Sequence, residues 1–122
     1  MAERCELCDP ESVLAENDLA YARLDNNSLS RGHALIVPRR HVASFFEMTK
    51  QEQGAVLELL RTIQSQVERE HSPDGYNIGV NVGKAAGQSR MHVHVHLIPR
   101  YAGDTSDPTG GVRCVLAKRR SA

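Results

Sequence analysis

The segment His92-Val93-His94-Val95-His96-Leu97 alternates polar and apolar residues without a break, and Ile98 follows it. Successive side chains of a β-strand point to opposite faces, so this period marks a strand with two different faces. Val93, Val95 and Leu97 form the apolar face. His92, His94 and His96 share the other, with neighbouring imidazoles about 6.5–7 Å apart along an ideal strand. A solvated strand face normally mixes Thr, Lys, Glu and Ser. Three histidines at alternate positions instead gather side chains that titrate near neutral pH, bind borderline metals and act as nucleophiles. The ladder therefore reads as a polar face, as a metal site, or as a nucleophile flanked by helpers.

The rest of the chain supplies what such a strand packs against. Residues 1–12 read as irregular. Leu19 to Leu24 and Ala34 to Val37 read as strands joined by the turn-forming segment Asp25 to Gly32, with Pro38 closing the second. Thr49 stands three residues before Glu52, the capping-box spacing. Val56, Leu59, Leu60, Ile63 and Val67 then recur at steps of three and four, which predicts a helix over 49–70. Ser72-Pro73-Asp74-Gly75 ends it, and His71 sits as a favourable cation near its C-terminus. Tyr76 to Val82 and Met91 to Ile98 read as strands around the loop Gly83 to Ser89. Val112 to Leu116 reads as one further short strand. The sum is an α+β fold, an antiparallel sheet carrying one long helix.

Length and composition narrow the function classes. One hundred and twenty-two residues suit one domain, 1–122. Fifteen basic against fifteen acidic residues argue against bulk electrostatic binding of nucleic acid or an anionic membrane. Arg39-Arg40 and Lys118-Arg119-Arg120 read as solvated surface. No apolar run approaches the roughly 20 residues that cross a bilayer. The charged start Met1 to Glu6 lacks the apolar stretch of a secretory signal, so the cytoplasm is the default compartment. Three cysteines argue against a disulfide framework, and 4% aromatics against base stacking on aromatic platforms.

His-Val-His-Val-His-Leu-Ile resembles the signature of the histidine triad (HIT) nucleotide hydrolases and transferases. Gly87-Gln88-Ser89 before the ladder, Asn81 upstream, Gly32-His33 before the Ala34–Pro38 strand, and Ile98-Pro99-Arg100-Tyr101 after the ladder match in the same order. The resemblance implies a sheet of about five strands with a long helix, and a two-fold homodimer. It implies that His94 attacks the α-phosphorus of a purine nucleotide, forming a nucleotidyl-histidine that water cleaves. His96 would move the leaving-group proton. Gly87, Gln88, Ser89 and Arg90 would cradle phosphate oxygens, and Asn81 would add an amide. Asp25 would hold the ribose hydroxyls; as a residue before Asn26-Asn27 it equally suits a turn. His33 reads as a support for the site or as a satisfied core histidine, and Asn81 as a partner for backbone groups.

Cys5-Glu6-Leu7-Cys8 alone reads as a redox pair, half of a zinc site, or coincidence. Bacterial-type histidine triad proteins resemble the chain here too. The resemblance implies a structural zinc on Cys5, Cys8, His41 and His92, a closed Cys2His2 set. The tail from Arg100 to Arg113 looks more like the dinucleoside polyphosphate hydrolase branch, whereas the cysteine pair looks like the nucleoside phosphoramidases. No organic cofactor is implied. Competing classes are a nucleotide-binding signalling or scaffold protein with little turnover, a nucleotide phosphorylase, and a zinc-handling protein.

Overall fold

Thr49 and Glu52 close a reciprocal cap at the start of the long helix, α1 (Lys50–His71). The Thr49 hydroxyl accepts from the Glu52 N–H at 3.0 Å, and a Glu52 carboxylate oxygen accepts from the Thr49 N–H at 2.8 Å. Two N–H groups that the helix cannot bond by itself are thereby satisfied. Val56, Leu59, Ile63 and Val67 are buried along one face, as their spacing requires. The helix stops at Ser72, whose backbone turns left-handed at φ 47°, and Pro73 has no N–H with which to extend it.

The structure is a computed structural model and describes residues 5–116. Five strands, β1 (Val13–Glu16), β2 (Ala20–Leu24), β3 (Ala34–Pro38), β4 (Gly75–Val80) and β5 (Val95–Arg100), form one antiparallel sheet in the order β1-β2-β3-β5-β4. Ala20, Ala22, Ala34, Ile36, Val93, Val95 and Leu97 pack with α1 in the main core. The opposite sheet face carries Tyr21, Leu35 and Val37, covered by Leu7 from the N-terminal turn Glu6–Cys8. The Tyr21 hydroxyl donates to the Leu7 carbonyl at 2.5 Å and ties that turn down. The histidine face is this second face.

The architecture is the α+β sheet with one long helix that the patterning predicts, with four local differences. β1 has no alternation to read: its residues are exposed at Val13, Leu14 and Glu16 and half-buried at Ala15. The expected strand 91–98 joins the ladder only at Val95. Before that point the Val93 N–H donates to the Val42 carbonyl instead, yet Val93 still points to the core and His92 away from it. The expected strand 112–116 is a 3-10 turn, Gly111–Val115. Gly110 and Gly111 enter it at positive φ, and Val112 and Val115 stay exposed, without the neighbouring strand that would bury them. Arg39 and Arg40 are paired as well as solvated: Arg39 bonds Glu16, and Arg40 holds both Glu52 oxygens at 2.8 and 3.0 Å. Met1 to Arg4 and Lys118-Arg119-Arg120 lie outside the described residues. Among the described residues no helix is long and apolar enough to cross a membrane.

Candidate active site

Four histidines converge on the second sheet face, and their hydrogen bonds settle which nitrogen of each carries a proton. His94 Nδ1 lies 2.9 Å from the His92 carbonyl. A carbonyl only accepts, so Nδ1 is the protonated nitrogen and Nε2 of the neutral ring keeps a bare lone pair. His33 behaves oppositely. Its Nδ1 accepts the Leu29 N–H at 3.0 Å, so its proton sits on Nε2. That Nε2–H points to His96 Nδ1 at 3.0 Å, with Asp25 Oδ2 3.3 Å away. His96 Nδ1 therefore accepts, and the proton of neutral His96 sits on Nε2. Burial holds the pKa values of both His33 and His96 below the ordinary imidazole value; the neighbouring His94 and His33 add to the shift at His96, and Asp25 opposes it at both. The site thus presents one bare nitrogen, on His94, beside one N–H donor, on His96, with ring centroids 5.1 Å apart.

The backbone makes this chain of partners possible at Gly32. It has φ +87°, and a Cβ there would stand 3.1 Å from Val67 and 3.2 Å from His71. Only glycine suits both the conformation and the approach to α1. His33 follows directly and is buried, at 2% exposure. Asp25 serves two structures at once. Its Oδ1 accepts the Asn27 N–H at 2.9 Å as a turn residue, and its Oδ2 faces the histidines.

His94 and His96 line a cleft with Asp25, Asn81, Ser89 and Arg90. Gly87 and Gln88 line it too, but the Gln88 side chain is bound to backbone. Its amide donates to the Ala43 and Arg90 carbonyls at 2.8 and 2.9 Å and its oxygen accepts the Gly83 N–H at 2.8 Å. Gln88 shapes the loop that Ser89 and Arg90 extend into the cleft. Sequence reasoning passed over Glu6, which pairs with Arg90 across the cleft mouth. Nothing local marks that pair, since 84 positions separate its members.

Among the described residues two clusters bring three or more metal-binding side chains together, Cys5-Cys8-His41-His92 and Asp25-His33-His96. Their protons separate them. His92 Nε2–H donates to the Pro38 carbonyl at 2.7 Å, which leaves Nδ1 bare and aimed at Cys5 and Cys8, 3.4 and 3.5 Å away. His41 Nδ1 lies 3.2 Å from Cys8 Sγ. All four ligand atoms fall within 4.8 Å of one another, and two sulfurs with two imidazoles suit a tetrahedral zinc ion. In the second cluster a metal on His33 Nε2 would push the ring proton to Nδ1, against the Leu29 N–H. That donor clash makes the trio a hydrogen-bonded unit.

Residues 7–103 match the family model described as the HIT domain. The chain belongs to the HIT family. This HIT domain is 40% identical over 97 residues to an uncharacterised HIT-like protein from Methanocaldococcus jannaschii, covering 78% of this chain and 73% of that one. It is 33% identical over 103 residues to an AP-4-A phosphorylase from Mycobacterium tuberculosis, covering 83% of this chain. It is 32% identical over 96 residues to a bifunctional bis(5'-adenosyl)-triphosphatase/adenylylsulfatase from Arabidopsis thaliana, covering 79%. The match spans only 53% of each of those two enzymes. Among solved structures, a HIT family protein from Bacillus anthracis superposes with TM-score 0.78 at 30% identity, over 85% of this chain and 78% of that one. A zinc-bound histidine triad family protein from Mycobacterium smegmatis superposes with TM-score 0.75 at 28% identity, over 83% and 78%. The antiparallel sheet and single long helix of this HIT domain are thus shared with solved members of the family.

Proposed function

We propose that this HIT domain is an enzyme that cleaves a purine nucleoside phosphoramidate or dinucleoside polyphosphate at the α-phosphorus and releases a nucleoside monophosphate. The observation that carries the reading is the opposite protonation of adjacent rings, a bare Nε2 on His94 beside an N–H on His96. A binding module needs no such contrast, whereas a displacement needs both a nucleophile and an acid. The relatives named for AP-4-A phosphorolysis and for bis(5'-adenosyl)-triphosphate and adenylylsulfate cleavage support the same class of bond.

In the first step His94 Nε2 donates its lone pair to the α-phosphorus, and the bond from phosphorus to the leaving amine or phosphate oxygen breaks. His96, carrying a second proton taken up from solvent as the charged phosphates bind, gives its Nε2 proton to that leaving atom and is left as the neutral ring. In the second step water attacks the nucleotidyl-His94, its proton passes to His96, and the phosphorus–nitrogen bond to His94 breaks. The His92 carbonyl accepts the His94 Nδ1–H throughout, and this bond strengthens as the ring takes on positive charge. In this reading Ser89, Arg90 and Asn81, with the main chain of Gly87 and Gln88, hold phosphate oxygens and Asp25 meets the ribose, which is supported by their lining one cleft with His94 and His96. His33 is a positioning residue, since it acts through His96.

Zinc on Cys5, Cys8, His41 and His92 belongs to this proposal as a structural ion, supported by the donor set and by the zinc-bound structural relative. When bound it would supply a crosslink between the N-terminal turn and the sheet. A homodimer belongs to it as well. β4 is an edge strand with Ile78 half-exposed, and Leu57 of α1 is exposed, leaving a strand edge and apolar side chains for a second copy.

Product analysis tests the reading. Wild type and His94→Asn are incubated with guanosine and adenosine phosphoramidates and with their dinucleoside tetraphosphates, with and without orthophosphate. Wild type should release nucleoside monophosphate and the variant none. A nucleoside diphosphate formed only with orthophosphate would make the enzyme a phosphorylase. Turnover surviving in His94→Asn would remove the covalent mechanism.

A further inference from the structure

Three strands place Arg23, Leu35 and His96 in one row on the cleft face. Arg23 pairs with Leu35 across β2 and β3, and Leu35 with His96 across β3 and β5. Paired residues of antiparallel strands point the same way, and neighbouring strands lie about 4.8 Å apart, so the Arg23 backbone sits roughly 10 Å from that of His96. A nucleotide whose phosphate meets His94 and whose ribose meets Asp25 would lay its base over Leu35 and reach Arg23 with its far edge. Leu7 and Leu35, both buried, form the apolar part of this wall.

Arg23 is an uncommon residue for such a wall. It is only 7% exposed. Its guanidinium is held in place, with Nε on the Leu24 carbonyl at 3.4 Å and Nη2 on Asn26 Oδ1 at 3.2 Å. Tyr21 lies beside it and feels its charge. A guanidinium is a fork of five N–H donors with no acceptor, and Arg23 lines the cleft with donors beyond the two that Leu24 and Asn26 engage. Of the acidic groups that line the cleft, Glu6 is paired with Arg90 and Asp25 faces His33 and His96.

We infer that Arg23 selects the base and that the site prefers 6-oxopurine nucleotides, guanine or hypoxanthine, over adenine. Guanine and hypoxanthine present O6 and N7, two acceptors that match the fork. Adenine presents an amino donor at that position, against which the fork has no acceptor to offer. This inference rests on the nucleotide reading proposed above and names the base that reading leaves open.

Calorimetric titration of the full-length His94→Asn protein with GMP, IMP and AMP tests it. GMP and IMP should bind alike, and each at least about tenfold more tightly than AMP, the range of one lost bidentate contact. Arg23→Met should bring GMP down to the AMP level while AMP changes by less than about threefold, the order of one weak contact. Arg23→Lys keeps the charge without the fork and should also lose the preference; it decides the matter if Arg23→Met melts as an unfolded chain. Equal affinity for GMP and AMP in the Arg23 protein would overturn the inference and leave the enzyme reading standing. So would an equal loss of both nucleotides in Arg23→Met, which would mean that the guanidinium stacks on any base. Failure of all three nucleotides to bind would overturn the nucleotide reading and this inference with it.

Discussion

A histidine ring nitrogen that faces a carbonyl must carry the proton, and one that faces an N–H must not. Applied to His94, His33 and His96, this rule separates three chemically identical side chains into one with a bare Nε2 and two whose Nε2 carries the proton. His96→Ala removes the proposed acid and leaves the proposed nucleophile, His94. Turnover of an alkyl phosphoramidate should fall by about 10²–10⁴-fold, the usual contribution of a positioned acid. A substrate with a good leaving group, such as a p-nitrophenyl ester, should suffer far less, because it departs without the proton. Equal loss for both substrates in steady-state assays would rule out proton transfer by His96. The ladder made three histidines visible in the sequence; their division of labour was implied only by the family resemblance, not by the pattern. His94 takes its tautomer from the His92 carbonyl two positions away, but the partner that fixes His96 is His33 and the one that fixes His92 is the Pro38 carbonyl, each dozens of positions away.

At the scale of the element, α1 carries the most legible signals and the largest titration effect. Glu52 is both the third residue of the cap and the partner of Arg40, which holds its carboxyl well below the usual range, at about 2, despite its burial. Its folded-state value lies below its unfolded one. The stabilisation is therefore complete above about pH 4.5, the unfolded value, and fades as pH falls towards 2. Glu52→Gln should cost about 1–2 kcal/mol at pH 6, allowing for the half-exposed Arg40 side of the pair. The gap between wild type and variant in urea unfolding should close as pH drops from 5 to 3. A gap that stays constant would mean that the carboxylate charge contributes nothing. The capping box was legible because it is local, three residues apart. The bond from Arg40 was not, since it spans a connecting segment whose path depends on the sheet. β1 was missed for a related reason: both of its faces meet solvent, so no pattern was imposed on it.

At the scale of the molecule, the N-terminal turn is the part with least support of its own. It touches the sheet through Leu7, the Tyr21 hydroxyl, the Glu6–Arg90 pair and the four clustered zinc-type ligands. Untagged protein should contain one zinc per chain. Stripping it with a chelator should lower the melting temperature by at least about 8 °C, as loss of a few kcal/mol does in a domain this size. Sedimentation should give the mass of two chains before and after stripping, because α1 packs on the sheet face opposite the N-terminal turn and β4 is the edge strand beyond β5. A metal-free protein with an unchanged melt would exclude the zinc, and a one-chain mass would exclude the dimer.

Strand, helix, cap and turn could be read from the chain because each is specified by neighbours within about eight positions, through side-chain period and backbone preference. The choice of chemistry was also visible, since three histidines on one strand face and a Cys-x-x-Cys are patterns of residue type. The resemblance named the zinc-type cluster, but which imidazole nitrogen is bare was decided only when β2, β3 and β5 came into register. That register brings Asp25 and His33 to His96, His41 and the cysteines to His92, and Arg23 into line with the cleft. Hydrogen bonds act over about 3 Å, and those distances exist only in the folded chain.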